Sequence, residues 1–315
     1  MMRIGVDLMG GDRPPEHFLE AVVQSSMQGC TLVPICNQKT ADQLAQLGSY
    51  DCVITEEYIE MGESPLLAVR RKKRASMTVG VQLVKERELD ALVSTGNTGA
   101  LVATSMLQLP MLGSVERPAL LVIMPNGEKG VVVLDVGANI TPKPQHLLDY
   151  AKMGVGYRQA IQGVEWPKVG LLNIGVEERK GTPEVQQTYH LLQETFGSYF
   201  LGNVEGREAF DGDIDVMVTD GFTGNVFLKT CEGVSSFFVE YIHAHFPDIS
   251  KQIIKSFQER FNYDRHPGGF LCGVDGIIVK CHGHSNITAL KNGIKGAASL
   301  VREGVLDKFK EIFRS

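Results

Sequence analysis

The chain has 315 residues, of which 43% are hydrophobic, and carries a net charge of -6 with a pI near 5.8. That is enough apolar material for one large α/β domain or two smaller ones. An acidic chain without basic-aromatic alternation argues against nucleic acid as the main partner, and no run reaches the apolar length of a membrane span.

Met1-Met2-Arg3-Ile4 is no secretory signal, so a cytoplasmic location is expected. The six cysteines, at 30, 36, 52, 231, 272 and 281, form no Cys-x-x-Cys pair and predict reduced thiols. His282-Gly283-His284 is the only tight histidine pair, and no metal site is expected.

Ile4 to Leu8 predicts a first strand, followed by a turn at Met9-Gly10-Gly11-Asp12 and a helix opened by Pro14-Pro15. Strands are expected at Leu32–Cys36 and Cys52–Thr55, with a helix near Ala41–Leu47 between them. Ser64-Pro65 predicts a capped helix that runs into Arg70-Arg71-Lys72-Lys73-Arg74. These cations complement a helix C-terminus or dock an acidic partner; both readings stand. Ser76 is the expected cap of the next helix, through Glu86.

Asp90–Ser94 predicts a strand entering Thr95-Gly96-Asn97-Thr98-Gly99 and then an apolar helix. Strands follow at Ala119–Met124 and Val131–Asp135, the latter ending in Gly137-Ala138-Asn139, with a helix from Pro144 to Ala160. Lys168–Ile174 leads into a loop ending in Lys180-Gly181, and Thr182-Pro183 starts a helix to Thr195. Tyr199–Leu201 is a further short strand.

Val216–Thr219 then runs into Asp220-Gly221-Phe222-Thr223-Gly224-Asn225, a strand–loop–helix corner with Thr223 as its expected cap. Free amides at such a helix start suit an anion; the alternative is a structural corner with glycines kept for packing. Beyond it, Cys231–His245 predicts helix. Ile249, Ile253, Ile254, Phe257 and Phe261 recur at helical spacing, a stripe that packs on protein or lies on a membrane surface or acyl entrance. Val274–Cys281 returns to strand, and Ile287–Phe313 is mostly helix.

Strands alternating with helices, with Gly, Asn, Thr and Asp after the strands, predict a doubly wound α/β sheet in one domain over 1–315, with a helical insertion at about 232–268. Ligands of such sheets bind beyond the carboxyl ends of the strands, so the Gly96, Gly137, Lys180 and Gly221 loops are expected to line one crevice. Neither Gly-x-Gly-x-x-Gly after the first strand nor Gly-x-x-x-x-Gly-Lys-Ser/Thr occurs, so dinucleotide and ATP binding are not supported.

With these loops in view, the chain resembles the bacterial phosphate acyltransferase family of phospholipid synthesis, the acyl-acyl-carrier-protein:phosphate acyltransferases (PlsX). The resembling segments are Val6 to Asp12, Ala68 to Lys73, Ser94 to Ala100, Glu116 to Leu120, Leu134 to Asn139, Leu171 to Gly175 with Lys180-Gly181, Asp220 to Thr230, and Val279-Lys280 with His282-Gly283. Leu8 and His284 depart from the residues usual there. The resemblance implies a three-layer α/β/α fold like isopropylmalate dehydrogenase and phosphotransacetylase, working as a homodimer. It implies attack of orthophosphate on the thioester of acyl-acyl carrier protein, giving acyl phosphate for a membrane-bound glycerol-3-phosphate acyltransferase. Location is then cytoplasmic, with peripheral contact at the inner membrane face as an open alternative.

The chemistry fits those loops. Orthophosphate is already an anionic nucleophile and a thiolate leaves readily, so positioning and oxyanion stabilisation are the main needs, worth roughly 7–11 and 3–4 kcal/mol. Gly96, Asn97, Thr98 and Gly99 are expected to cradle phosphate or the oxyanion, with Gly221, Thr223, Gly224 and Asn225 as an opposite wall. Lys180 would neutralise phosphate charge, and Asp7, Asp12, Asn139 and Asp220 would hold the loops. His282 is the reserve acid–base group. No metal, cofactor or acyl-enzyme is expected. Transfer from acyl-coenzyme A and a non-enzymatic membrane scaffold are the rival readings.

Overall fold

A computed structural model describes residues 1–126, 129–246 and 268–314. The chain forms two compact units: Met1–Leu120, Ala160–Gly163 and Pro267–Ser315 in the first, Leu121–Gln159 and Val164–His266 in the second.

The first unit holds β1 (Met2–Asp7), β2 (Cys30–Cys36), β3 (Val53–Ile54), β4 (Ala91–Ser94), β10 (Gly269–Cys272) and β11 (Ile277–Lys280). Their order is β3-β2-β1-β4-β11-β10, parallel except for the β10–β11 pair. Its helices are α1 (Leu19–Gln24), α2 (Gln38–Leu47), α3 (Pro65–Arg71), α4 (Ser76–Lys85), α5 (Thr98–Gln108), α9 (Ile287–Arg302) and α10 (Val305–Ile312). Both α4 and α9 pack on β1 and β4, and every residue of β4 is buried. Helical cover on both faces explains why β4 reads Ala-Leu-Val-Ser rather than alternating.

The second unit holds β5 (Ala119–Met124), β6 (Val131–Leu134), β7 (Val169–Leu172), β8 (Phe200–Val204) and β9 (Val216–Val218), in the order β5-β6-β9-β7-β8. Only β5–β6 is antiparallel. Its helices are α6 (Pro144–Gln162), α7 (Pro183–Phe196) and α8 (Gly221–His245). α6 lies so close to β9 that a Cβ on Gly154 would stand 2.4 Å from Val216 Cγ1. Arg158 of α6 is fully buried, donating to the carbonyls of Asp215 (2.9 Å), Lys129 (3.2 Å) and Gly130. Three carbonyls take up its guanidinium.

The α/β fold is the expected one, and several local details differ. Ser76 opens α4 but does not cap it; the cap position is Ala75, and the Ser76 hydroxyl serves Asp7. Asp220, not Thr223, caps α8, which therefore begins at Gly221 and runs unbroken to His245. α3 ends at Arg71, so Lys73 and Arg74 lie beyond it. β10 stands where the sequence pattern predicts no strand. The Ile249–Phe261 stripe, with Ile253, Ile254 and Phe257, lies outside the described residues, as does most of the 232–268 insertion.

Candidate active site

In the first unit, β4 ends at Ser94 and α5 starts at Thr98, so three residues turn the chain through the corner. The buried Ser94 Oγ accepts the Gly96 amide (3.1 Å) and donates to Asp7 Oδ2 (2.7 Å). Asn97 caps α5: its Oδ1 accepts the Ala100 amide at 3.0 Å. Its Nδ2 donates to Met61 O at 2.8 Å, tying the corner to the 60–63 loop. The amides of Asn97, Thr98 and Gly99 have no partner among the described residues. Beside them, the fully buried Thr95 Oγ1 is also without a partner. Three open amides at the positive end of an eleven-residue helix have the geometry that suits an oxyanion.

The β1 turn packs directly on this corner. A Cβ on Gly11 would stand 2.8 Å from Thr95 Oγ1, and Gly10 has φ +74, so glycine is needed at both. Asp7 is fully buried, and burial is the main cause that pushes its carboxyl up to about 6; hydrogen bonds from Ser94, Ser76 and the Met9 amide (3.1 Å) oppose it. Asp7 thus connects the β1 turn to the β4 corner. Asp12 closes the other side: its amide donates to Gly283 O (3.0 Å) and its Oδ2 pairs with His284 Nδ1 (2.8 Å). His282 Nδ1 accepts the His284 amide at 3.1 Å, shaping the turn.

In the second unit the amides expected to be free are taken. Asp220 Oδ1 accepts those of Phe222 (2.9 Å) and Thr223 (2.8 Å), and Thr223 Oγ1 donates to Asp220 Oδ2 at 2.7 Å. The Gly221 amide donates to Asn139 O at 2.8 Å. The amides of Gly137, Ala138 and Asn139 all converge on the buried carboxylate of Asp135, the shortest at 2.7 Å. Each corner is filled by its own aspartate, which competes for the place of an outside anion. Asp135 was not singled out from sequence, although an Asp with Gly-Ala-Asn two to four residues on is the signature of such a nest.

The two corners also interlock. A Cβ on Gly224 would stand 2.0 Å from Asp135 O, and one on Gly221 2.6 Å from Asn139 O, so backbone meets backbone at both. Asn225, exposed just past α8's first turn, lies beside Gly137. Lys180 sits in the loop after β7, which is held by side chains: Asn173 donates to Lys180 O (3.0 Å), Asn203 to Glu177 O (2.8 Å) and Gln186 to Arg179 O (2.8 Å). The Lys180 ammonium itself is exposed and has no partner among the described residues.

A family model described as "Fatty acid synthesis protein" matches residues 2–308. The chain belongs to this family. Among its relatives, the phosphate acyltransferase of Chlamydia abortus (strain DSM 27085 / S26/3) is 40% identical over 316 residues, covering 98% of both chains. That of Chlamydia trachomatis serovar L2 is 41% identical, covering 99% of this chain and 98% of the relative. Phosphotransacetylases share the fold: EutD phosphotransacetylase from Staphylococcus aureus superposes with a TM-score of 0.62 at 18% identity, covering 95% of this chain and 94% of its own. One from Streptococcus pyogenes gives 0.61 at 17% identity, covering 100% and 94%. As a member of the phosphate acyltransferase family the chain is an enzyme, a transferase. The phosphotransacetylase-like fold that the resemblance implied is the one observed.

Proposed function

We propose that this phosphate acyltransferase family member transfers the acyl group of an acyl-acyl carrier protein to orthophosphate, releasing free carrier protein and acyl phosphate for phospholipid synthesis. The observation that carries the reading is the set of open amides at Asn97, Thr98 and Gly99 beside the buried, unpartnered Thr95 hydroxyl. These donors require no proton transfer of their own and can meet either phosphate or the tetrahedral oxyanion. Lys180 is assigned to charge neutralisation, supported by its unpaired ammonium. Asp7 and Asn97 hold the cradle, while Asp220, Asn139 and Thr223 maintain the second unit's corners rather than offer amides; the exposed Asn225 side chain is kept as a substrate-contact candidate.

Carrier protein is favoured over coenzyme A as donor by the surface around α3. Arg70, Arg71, Lys73 and Arg74 are exposed without ion-pair partners among the described residues, beside exposed Leu66 and Leu67. Lys72 is different: it binds Glu63 and Tyr58 O (2.8 Å) and so holds the loop. Four unpaired cations around an apolar spot suit an acidic, helical partner. The homodimer and the membrane-bound acceptor enzyme belong to the same proposal.

The deciding assay measures acyl phosphate formed from defined acyl-carrier proteins and from acyl-coenzyme A, with phosphate varied. Turnover with coenzyme A thioesters alone would favour the phosphotransacetylase-like alternative, and none with either would leave the scaffold reading. Reversing Arg70, Arg71, Lys73 and Arg74 to Glu should raise KM for the carrier protein at least tenfold and leave KM for phosphate unchanged. Equal effects on both would remove the docking role.

A further inference from the structure

The strand order places β4 between β1 and β11. The loops after these two flanking strands therefore rise on either side of the Gly96–Gly99 cradle, and they are joined to each other. Asp12 comes from the β1 loop and His284 from the β11 loop; the bond from His284 Nδ1 to Asp12 Oδ2 is 2.8 Å. The Asp12 amide to Gly283 O at 3.0 Å doubles the link. Three side chains carrying charge or able to do so face His284: Asp12, Arg13, whose Nε lies 3.5 Å from His284 O, and His282, whose ring centroid is 5.7 Å away. The adjoining 60–63 loop contributes Met61, which a Cβ on Gly283 would meet at 2.8 Å.

An ionised carboxylate only accepts, so the proton of a neutral His284 sits on Nδ1 and its Nε2 carries the lone pair. Asp12 thereby fixes both tautomer and ring plane, the arrangement by which a carboxylate orients a histidine for proton transfer. His282 cannot take this role in the same way, because its Nδ1 is already accepting the His284 amide. The His284 side chain is 76% exposed, so a bulky substrate can reach Nε2 without any rearrangement of the turn.

We propose that His284, oriented by Asp12, carries the proton between phosphate and the departing sulfur. This rests on the acyl phosphate reading above. A phosphate oxygen of hydrogen phosphate forms the new bond to the acyl carbon, and the carbon–sulfur bond breaks with its electron pair going to sulfur. The phosphate hydroxyl proton passes to Nε2, and the same nitrogen delivers it to the thiolate. The sum is hydrogen phosphate plus thioester giving acyl phosphate plus thiol, with His284 unchanged. Asp12 is a positioning residue in this step and His284 the carrier.

The test compares wild type, His284→Ala, His284→Gln and Asp12→Asn on acyl-acyl carrier protein with phosphate varied, alongside urea unfolding of each. Proton carriage is typically worth roughly 100-fold or more. The expected result is a fall in kcat of at least tenfold for both His284 variants with KM for phosphate and unfolding midpoint unchanged. Added imidazole should restore His284→Ala but not His284→Gln, and Asp12→Asn should lie between. A fall below tenfold, a loss confined to KM for phosphate, or no imidazole rescue would overturn the proposal. If wild type itself forms no acyl phosphate, the underlying function fails instead, a distinguishable outcome.

Discussion

Asp7→Asn isolates one buried titration. The Asp7 carboxyl has an ordinary value of 3.8 and is pushed to about 6 in the fold, chiefly by burial. A difference of about 2 units corresponds to about 3 kcal/mol between the two protonation states. Because the folded value is the higher, the native chain keeps a proton that the unfolded chain has already released. The stability this group contributes is full below 3.8 and is lost as pH rises through about 6. Between pH 5 and 7.5 the loss from Asp7 alone works out at about 1–1.5 kcal/mol. Asparagine cannot ionise, keeps an acceptor for the Met9 amide and can donate to Ser94 Oγ. Urea unfolding at both pH values should therefore show wild type losing about 1–1.5 kcal/mol more than Asp7→Asn on going from pH 5 to 7.5. At pH 7.5 the variant should be as stable as wild type or more so, yet less active, since Ser94 no longer answers to a carboxylate. Identical pH slopes in the two proteins would refute the argument.

Arg158→Met should cost about 3 kcal/mol in the same assay, because three buried carbonyls lose their donor. Gly224→Ala drives a methyl into the Asp135 carbonyl, 2.0 Å away, and should destabilise by at least about 2 kcal/mol, seen as a lowered Tm. An unchanged Tm would mean that the two corners are not locked as described. Lys180→Ala should reduce kcat/KM for phosphate by tenfold or more while leaving Tm unchanged, the ammonium being exposed and unpaired. Unchanged turnover would remove Lys180 from the site.

The strands were legible because buried parallel strands are short apolar runs: Ala119–Met124 matches β5 residue for residue. The corners were legible as corners for the same reason that glycine and Asx residues end strands. What each corner does was not legible. Asp220 and Thr223 are both good caps three residues apart, and only the fold shows the aspartate taking the amides while the threonine hydroxyl binds the aspartate. Ser76 reads as a cap by local propensity, but tertiary packing gives it a buried carboxylate instead. Whether an amide is open or filled depends on where a carboxylate from the same loop turns, as at Asp135, and no spacing records that. His284 stood in the sequence beside His282; which of the two meets Asp12 is decided by a 282–285 turn whose geometry is not local to either residue.

The contact of Gly224 with Asp135 has a consequence for how such enzymes can diverge. α/β enzymes commonly acquire new substrates by lengthening or shortening the loops beyond their strands. At residues 135–139 and 220–224 that route is closed, since an insertion in either loop would have to be matched by its neighbour. The loop from 173 to 181 has no such backbone-on-backbone lock with a neighbouring corner among the described residues; the amide side chains of Asn173, Asn203 and Gln186 hold much of it, so novelty in this lineage should accumulate there first.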